Sequence, residues 1–431
     1  MINKLQLRRE DSVFRGLVIL ALLLEIVVFI EPAPVDALLM ITLAAALMLG
    51  KLRFPSVSPL PAVALVVFAL ANIVSMYDPL DPERAVWYAA VTFYLMASWV
   101  FFVGIAGYYG KPFIATMINT YCFAGLLSAI LGLGGYFHLL PFTDQLLLGG
   151  RARGLFKDCN VYGPFFVPVA LFTLTRILDS RTTLREKIVP GVVLIPTLLA
   201  ILLCFSRACW INFVFALAVF LIGQVSFTGL RSQLSRRDIR RRIYGGIGIV
   251  ATSVLLLVLL NEVPAISDMM SQRVTSNGLQ NYDRVRFATQ DLALESAKRH
   301  LLGIGPGQVE LVFDYATHSM YLRILSENGV AALLAVLVFI FATMARSISL
   351  IQRAEDPWYR EVNLVVLACI AGHLVNSFVI DTVHWRHIWF IYALPWAPAR
   401  LRSHAVYAAK RVAAFKLSHR PGFATPGFIG R

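Results

Sequence analysis

A chain of 431 residues with 58% hydrophobic and only 15% charged residues, and a mean hydropathy of +0.70, is far more apolar than soluble domains, whose charged share is about 25%. This composition excludes a soluble globular protein and places the chain in a membrane. The formal net charge of +14 then bears first on topology and lipid contact, and no nucleic-acid partner is expected.

Twelve apolar runs follow one another, near residues 14–30, 34–50, 60–76, 85–108, 113–133, 164–178, 188–205, 208–225, 243–260, 321–345, 362–380 and 386–400. Each has, or nearly has, the roughly 17 to 25 residues that a bilayer-crossing helix requires. None alternates as a barrel strand does, so the expected fold is an all-α integral membrane domain of about 12 transmembrane helices over 1–431. The first run lacks a small-residue cleavage site and is read as a retained signal anchor. The five cysteines, Cys122, Cys159, Cys204, Cys209 and Cys369, mostly sit in apolar runs without metal-ligand spacing and read as small hydrophobes.

Lys and Arg set the orientation. With the N-terminus cytoplasmic, 27 of the 39 basic residues fall on cytoplasmic segments, including a basic tail at 401–431, and both termini are then cytoplasmic by the positive-inside rule. Arg236, Arg237, Arg240, Arg241 and Arg242 read as an anchor for anionic membrane lipids.

The opposite face collects a different set of cations. After the fifth run come Arg151, Arg153, Lys157, Asp158 and Asn160; the tight turn between the seventh and eighth holds Ser206 and Arg207; the last turn carries Asp381, His384, Arg386 and His387. The longest loop, 261–317, lies between the ninth and tenth helices and brings Arg273, Arg284, Arg286, Lys298 and Arg299 before ending at His318. Residues 282–301 place Val285, Ala288, Leu292 and Ala297 near helical spacing, which predicts an amphipathic helix on the membrane surface with its basic residues on the free face. The Gly303-Ile-Gly-Pro-Gly307 stretch breaks that helix and returns the chain, bringing His318 beneath it. It lacks the spacing of a nucleotide-binding glycine loop.

Several arginines at a membrane face with few neighbouring carboxylates suit a phosphate or diphosphate, which a guanidinium grips with two parallel hydrogen bonds. A lipid-linked diphosphate is the natural ligand. Taken singly, each feature has a plainer use. Arg207 can snorkel to the headgroups, Arg284 and Arg286 can pair with Asp283, Asp291 and Glu295 on a solvated helix, and His318 can cap a helix. An imidazole at the membrane boundary, followed by Tyr321, Arg323 and Glu327, is nevertheless costly to place without a use.

The segment His318 to Gly329, with ten residues between the two, resembles the H-x10-G motif of the O-antigen ligase and Wzy-type polysaccharide polymerase family. The glycine-rich run before it and the Ser206-Arg207 turn are similar to that family as well, and Arg153-Gly-Leu-Phe-Lys-Asp-Cys-Asn160 resembles its Arg-x-Gly-x-Phe-x-Asp-Pro-Asn segment. Cys159 stands where the family often has proline, and the ligase's R-x3-L pattern is not cleanly present, since Ala288 and Gln290 follow Arg284 and Arg286 four residues on.

The resemblance implies a GT-C-like bundle in the bacterial inner membrane, with its site on the periplasmic face. It implies metal-independent, cofactor-free, inverting glycosyl transfer from an undecaprenyl-diphosphate-linked glycan to an acceptor hydroxyl. His318 would be the general base and Arg207 its catalytic partner at the diphosphate, with Arg284 or Arg286; Arg153, Asn160 and Tyr321 would contribute to substrate binding. The acceptor is a second glycan in a polymerase of O-antigen or exopolysaccharide, the favoured reading, or lipid A core in a ligase. A transporter or flippase of lipid-linked sugars is the non-enzymatic alternative, although no internal repeat of the kind such proteins carry is evident.

Overall fold

Each apolar run folds as helix in the computed structural model, which describes residues 2–55, 58–179, 182–227, 235–271 and 281–401. The first half comprises α1 (Ile2–Leu24), α2 (Pro34–Met48), α3 (Leu60–Ser75), α4 (Pro82–Tyr109) and α5 (Lys111–Tyr136), then a short turn α6 (Thr143–Leu146) and a two-stranded hairpin, β1 (Leu147–Leu148) and β2 (Arg151–Ala152). The second half comprises α7 (Cys159–Leu178), α8 (Ile188–Leu203), α9 (Arg207–Ser226), α10 (Arg236–Asn261), α11 (Pro264–Met270), α12 (Asn281–Arg299), α13 (Val309–Val312), α14 (Met320–Arg353), α15 (Pro357–Asn376) and α16 (Arg386–Ala393).

Among the described residues, seven helices are long and apolar enough to cross a membrane: α4, α5, α7, α8, α9, α10 and α14; α2 and α3 are shorter apolar helices. The run at 164–178 begins earlier than hydropathy implies, because Asp158 caps the helix and Pro164 and Pro168 lie inside it. The run at 386–400 is a correction to the expected twelve spans. It forms an eight-residue helix followed by a 3-10 turn, about 12 Å at 1.5 Å per residue and too short to cross. Its apolar character has another cause: seven of its eight residues are buried, as for a helix that is apolar all round and serves as core. Phe390 meets Phe102 at 5.1 Å between ring centroids, and Tyr121 meets Phe165 at 4.8 Å, so aromatic pairs tie α4, α5, α7 and α16 together.

Charges sort to the two ends of the bundle. At one end Lys51 pairs with Asp11 (2.7 Å), Lys111 with Asp356, and Arg242 with Glu361 (3.0 Å). Arg242, read as part of a lipid anchor, is thus buried and also donates to Gln224. At the other end Arg386 grips Asp36 with two bonds of 2.6 and 2.7 Å.

The long α14 is not continuous. Gly329 has φ +83° and ψ 178°, which interrupts the helix and releases carbonyls that the next turn would otherwise occupy. The chain arriving from α12 fills the break: Ile304 donates to the Ser326 carbonyl and Gly305 to that of Glu327, both at 2.9 Å, while Val330 donates to Leu301 at 3.3 Å. Asn328, beside the break, donates to Asn72 of α3 at 3.0 Å. The approach leaves no room for side chains, since a Cβ on Gly303 would lie 2.2 Å from the Glu327 carbonyl oxygen. The glycine run therefore docks in a notched helix and fixes the chain that leads to His318.

A Gly329→Ala substitution combines a left-handed backbone with a Cβ 2.4 Å from the Leu301 carbonyl oxygen. Strain at such a position costs about 1–3 kcal/mol before the clash is counted. Thermal unfolding of the detergent-solubilised protein should show a clear loss for Gly329→Ala and little change for Gly16→Ala, whose Cβ would meet nothing within 4 Å.

Candidate functional site

The site assembles from three helix starts and the segment before α14. At the α8–α9 turn Phe205 takes φ +46°, and Ser206 caps α9 by accepting from the Cys209 amide at 3.4 Å. The Ser206 hydroxyl donates to the Asn160 side-chain oxygen at 2.8 Å, and Arg151 donates to the same oxygen at 3.2 Å and to the Cys204 carbonyl at 2.8 Å. Asp158 in turn accepts from the Asn160 amide at 2.8 Å. This clamp holds the start of α7 against the hairpin and the α8–α9 turn, and it sets Arg207 at the first position of α9.

Helix α12 supplies the second cation. Arg286 is buried with 7% exposure, whereas Arg284 is exposed. The buried stripe runs through Arg286, Thr289, Ala293 and Ala297, while Val285 and Leu292 face outward with 47% and 50% exposure. The expected amphipathic face is therefore reversed for Val285, Ala288 and Leu292, and only Ala297 of the four lies inside. Small and polar residues let α12 approach the protein closely, and apolar ones can be left outward where the surroundings are lipid. Gln290 ties the helix to the site, donating to the Thr317 carbonyl at 3.0 Å.

His318 is half-buried and left-handed, with φ +48°, a rare conformation for a residue with a side chain. The chain is pinned on both sides of it: the Thr317 carbonyl accepts from Gln290, and the Met320 amide donates to the Ser377 carbonyl, each at 3.0 Å. Its ring packs on Tyr315 with 5.2 Å between centroids. Burial draws the imidazole below its ordinary value of 6.5, the Arg286 guanidinium adds to this, and Asp158, Asp381 and Glu310 oppose it. Burial likewise lowers Arg286, with Tyr315 opposing and Arg207 reinforcing the shift. His318 thus lies within electrostatic reach of Arg286 and Asp158, and Arg286 within reach of Arg207, although the four are scattered from 158 to 318 in the chain. The neutral imidazole accepts a proton, and two guanidiniums in mutual repulsion favour an anion beside them.

Behind His318 lies a buried ionic network. Arg323 bonds Asp381 at 2.8 Å, Glu310 at 3.0 Å and Glu327 at 3.2 Å; Arg84 reaches Glu310 at 3.0 Å. Both guanidiniums also lie over the Tyr88 ring, at 5.0 Å for Arg323 and 5.2 Å for Arg84. His384 contacts Thr92 at 3.0 Å and is pushed down to about 4, mainly by burial.

The other candidate residues are engaged by hydrogen bonds and packing within the protein. Arg153 donates to the carbonyls of Gln145 and Lys157 at 3.2 and 3.4 Å, and it is Arg151 that joins the clamp. Asn160 is held as the acceptor of that clamp. Tyr321 donates to the Leu374 carbonyl at 2.8 Å and packs on Phe378. Arg386 is committed to Asp36, and His387 is buried between Phe165 and Trp385. Arg273 and the tail after Leu401 lie outside the described residues. Sequence reasoning missed Tyr315, Glu310, Arg84 and Tyr88, which carry no motif; the one available signal was that buried Arg323 needs carboxylate partners. Among the described residues no group of three or more His, Cys, Asp or Glu side chains is arranged to hold a metal ion.

The O-antigen ligase family model, Wzy_C, matches residues 192–337, about a third of the 431 residues. The matched stretch runs from α8 to beyond the break in α14, and includes Arg207, Arg284, Arg286, His318 and Gly329. The resemblance seen in the glycine and histidine motifs therefore extends over this region, and it supports a role in surface-polysaccharide assembly by glycosyl transfer. No curated protein matches the chain.

Histidine-selective NMR should find the His318 imidazole titrating below 6.5. Arg286→Gln removes a repelling cation and should move that titration to higher pH, while Arg284→Gln should leave it in place; a shift in the opposite direction for Arg286→Gln would contradict the arrangement.

Proposed function

We propose that this chain, which resembles the O-antigen ligases over residues 192–337, transfers a glycan from undecaprenyl diphosphate to an acceptor hydroxyl at the periplasmic face of the bacterial inner membrane. The observation that carries this reading is the convergence of a half-buried neutral imidazole, His318, with the guanidiniums of Arg286 and Arg207. His318 takes the proton of the acceptor hydroxyl as its oxygen attacks the anomeric carbon. The bond from that carbon to the diphosphate breaks, and its electron pair leaves with the lipid diphosphate, whose charge Arg207 and Arg286 stabilise. A single displacement of this kind inverts the anomeric centre and asks for no metal.

Of the two arginines near the start of α12, the buried Arg286 is assigned to the diphosphate and the exposed Arg284 to the helix surface. Arg153, Asn160 and Tyr321 are assigned to holding the site's walls. The chain is multi-pass with both termini cytoplasmic, in accord with the 27 of 39 basic residues on those segments. As acceptor we favour a second lipid-linked glycan, which makes the protein a polymerase of O-antigen or exopolysaccharide; transfer to lipid A core is the ligase alternative.

The test uses the full-length protein in detergent with undecaprenyl-diphosphate-linked oligosaccharide. The expected product is a lengthened lipid-linked glycan; glycan attached to added lipid A core identifies the ligase alternative. His318→Ala should reduce turnover by about 10²- to 10⁴-fold, the usual contribution of a positioned base, with membrane insertion intact. Because burial and Arg286 depress the imidazole, the rate should hold below pH 6.5 and fall only as the pH drops through the lowered value. Wild-type turnover by His318→Ala would refute the role of the base.

A further inference from the structure

Two thiols meet behind the turn that carries Arg207. Cys204 ends α8 and Cys209 lies in the first turn of α9, and both are fully buried, with 0% exposure. A Cβ on Gly163 of α7 would lie 2.5 Å from the Cys204 Sγ and 2.7 Å from the Cys209 Sγ, so the two sulfurs share the hollow that the missing side chain leaves. They are hydrogen-bonded to each other, and Cys204 in turn donates to the Ile201 carbonyl at 3.1 Å. The other cysteines are placed differently. Cys122 and Cys369 stand within α5 and α15, and Cys159 faces the Leu148 and Arg151 carbonyls of the hairpin at 4.0 and 3.9 Å.

Between the two cysteines run Phe205, left-handed at φ +46°, and the Ser206-Arg207 pair. A residue with a side chain is strained in that region and persists there only where its surroundings hold it. Both ends of the turn are held through the cysteines' own backbone. Arg151 donates to the Cys204 carbonyl at 2.8 Å, and the Cys209 amide donates to Ser206 at 3.4 Å. A covalent link between the side chains would close a small ring around the strained residue and Arg207.

We propose that Cys204 and Cys209 are joined by a disulfide in the mature protein, a staple across the α8–α9 turn; the assignment rests on the reading above that places this turn on the periplasmic face. Neighbouring thiols in that compartment are subject to oxidation. The co-reactant is a protein disulfide acting by thiol–disulfide exchange. One cysteine attacks it to form a mixed disulfide, and the other displaces the donor, which leaves as a dithiol. Two electrons and two protons thus pass from the cysteine pair to the donor's two sulfurs. Because neither sulfur is accessible in the folded bundle, exchange precedes the packing of α7 on α8 and α9, and the finished bond is shielded from reductants. Arg207 is then held at the start of α9 by a covalent ring as well as by hydrogen bonds.

The test takes the full-length protein from membranes prepared without reductant, with free thiols blocked by N-ethylmaleimide in denaturant. Trypsin cleaves after Arg207 and so separates the two cysteines in sequence. Their peptides should nevertheless stay joined, carry no maleimide, and part on treatment with dithiothreitol. Cys204→Ser and Cys209→Ser should each abolish the joined species, and dithiothreitol should lower the Tm of the wild type but not of the Cys204→Ala/Cys209→Ala double variant. Maleimide on both cysteines, or a link from either one to Cys159, would overturn the staple even if glycan transfer proceeds. Labelling of the exposed Lys157 on intact spheroplasts with a membrane-impermeant amine reagent separates the two premises. Thiols found free beside a labelled lysine refute the disulfide alone, and labelling only after lysis refutes the periplasmic placement with it. A joined pair without transferred glycan upholds the staple while refuting the transfer reading.

Discussion

The break in α14 is the constraint from which the site follows. A helix that crosses a membrane must satisfy its own backbone, so the interruption at Gly329 is tolerable only where another backbone supplies the missing partners. The Leu301–Gly305 segment does so with three bonds, and its glycines exist to allow the approach. The result is a fixed crossing of two distant pieces of chain. From it α12 runs in one direction, carrying Arg286, and the first turns of α14 in the other, immediately after His318.

The ionic network behind His318 completes that constraint. Three carboxylates, Glu310, Glu327 and Asp381, surround Arg323, and Arg84 shares Glu310. Charges buried in this way are weak evidence for stability but strong determinants of geometry, because removing any one member leaves the others uncompensated. The network joins α4, α13, α14 and the segment after α15, four pieces that hydrophobic packing alone would allow to slide past one another. Two of its carboxylates, Asp381 and Glu310, also oppose Arg286 in setting the proton affinity of His318.

What the sequence reveals follows from which forces act locally. Helical spans are legible because each apolar run must satisfy its own backbone, and the outer face stands out because arginines from separate segments of the sequence gather on it. The failures share one cause. The run at 386–400 has the composition of a lipid-facing span, yet α16 is core; the apolar stripe Val285, Ala288, Leu292 has the spacing of a buried face, yet it is the outer one. Periodicity reports which residues avoid water, and in a membrane both lipid and protein satisfy that demand. The burial of Arg286 rather than Arg284, and the place of Arg151 rather than Arg153 in the clamp, depend on helix rotation and on side-chain hydrogen bonds to distant segments, neither of which a motif encodes.

The same cations that suit a diphosphate also set the state of the base, and the two roles are coupled. Arg286 lowers the His318 affinity for a proton, so the imidazole of the unliganded site stays neutral. An anion seated beside Arg207 and Arg286 would offset that repulsion and make the imidazole a stronger base, which in the proposed transfer coincides with the presence of the donor. Linkage requires the converse, that a protonated His318 holds the anion more tightly. Neither effect needs movement of the backbone, and that is consistent with a site whose histidine is strained in place and tied on both sides. The His318 titration with and without undecaprenyl diphosphate reports the sign directly: a rise on binding supports the coupling, and a fall would place the diphosphate elsewhere.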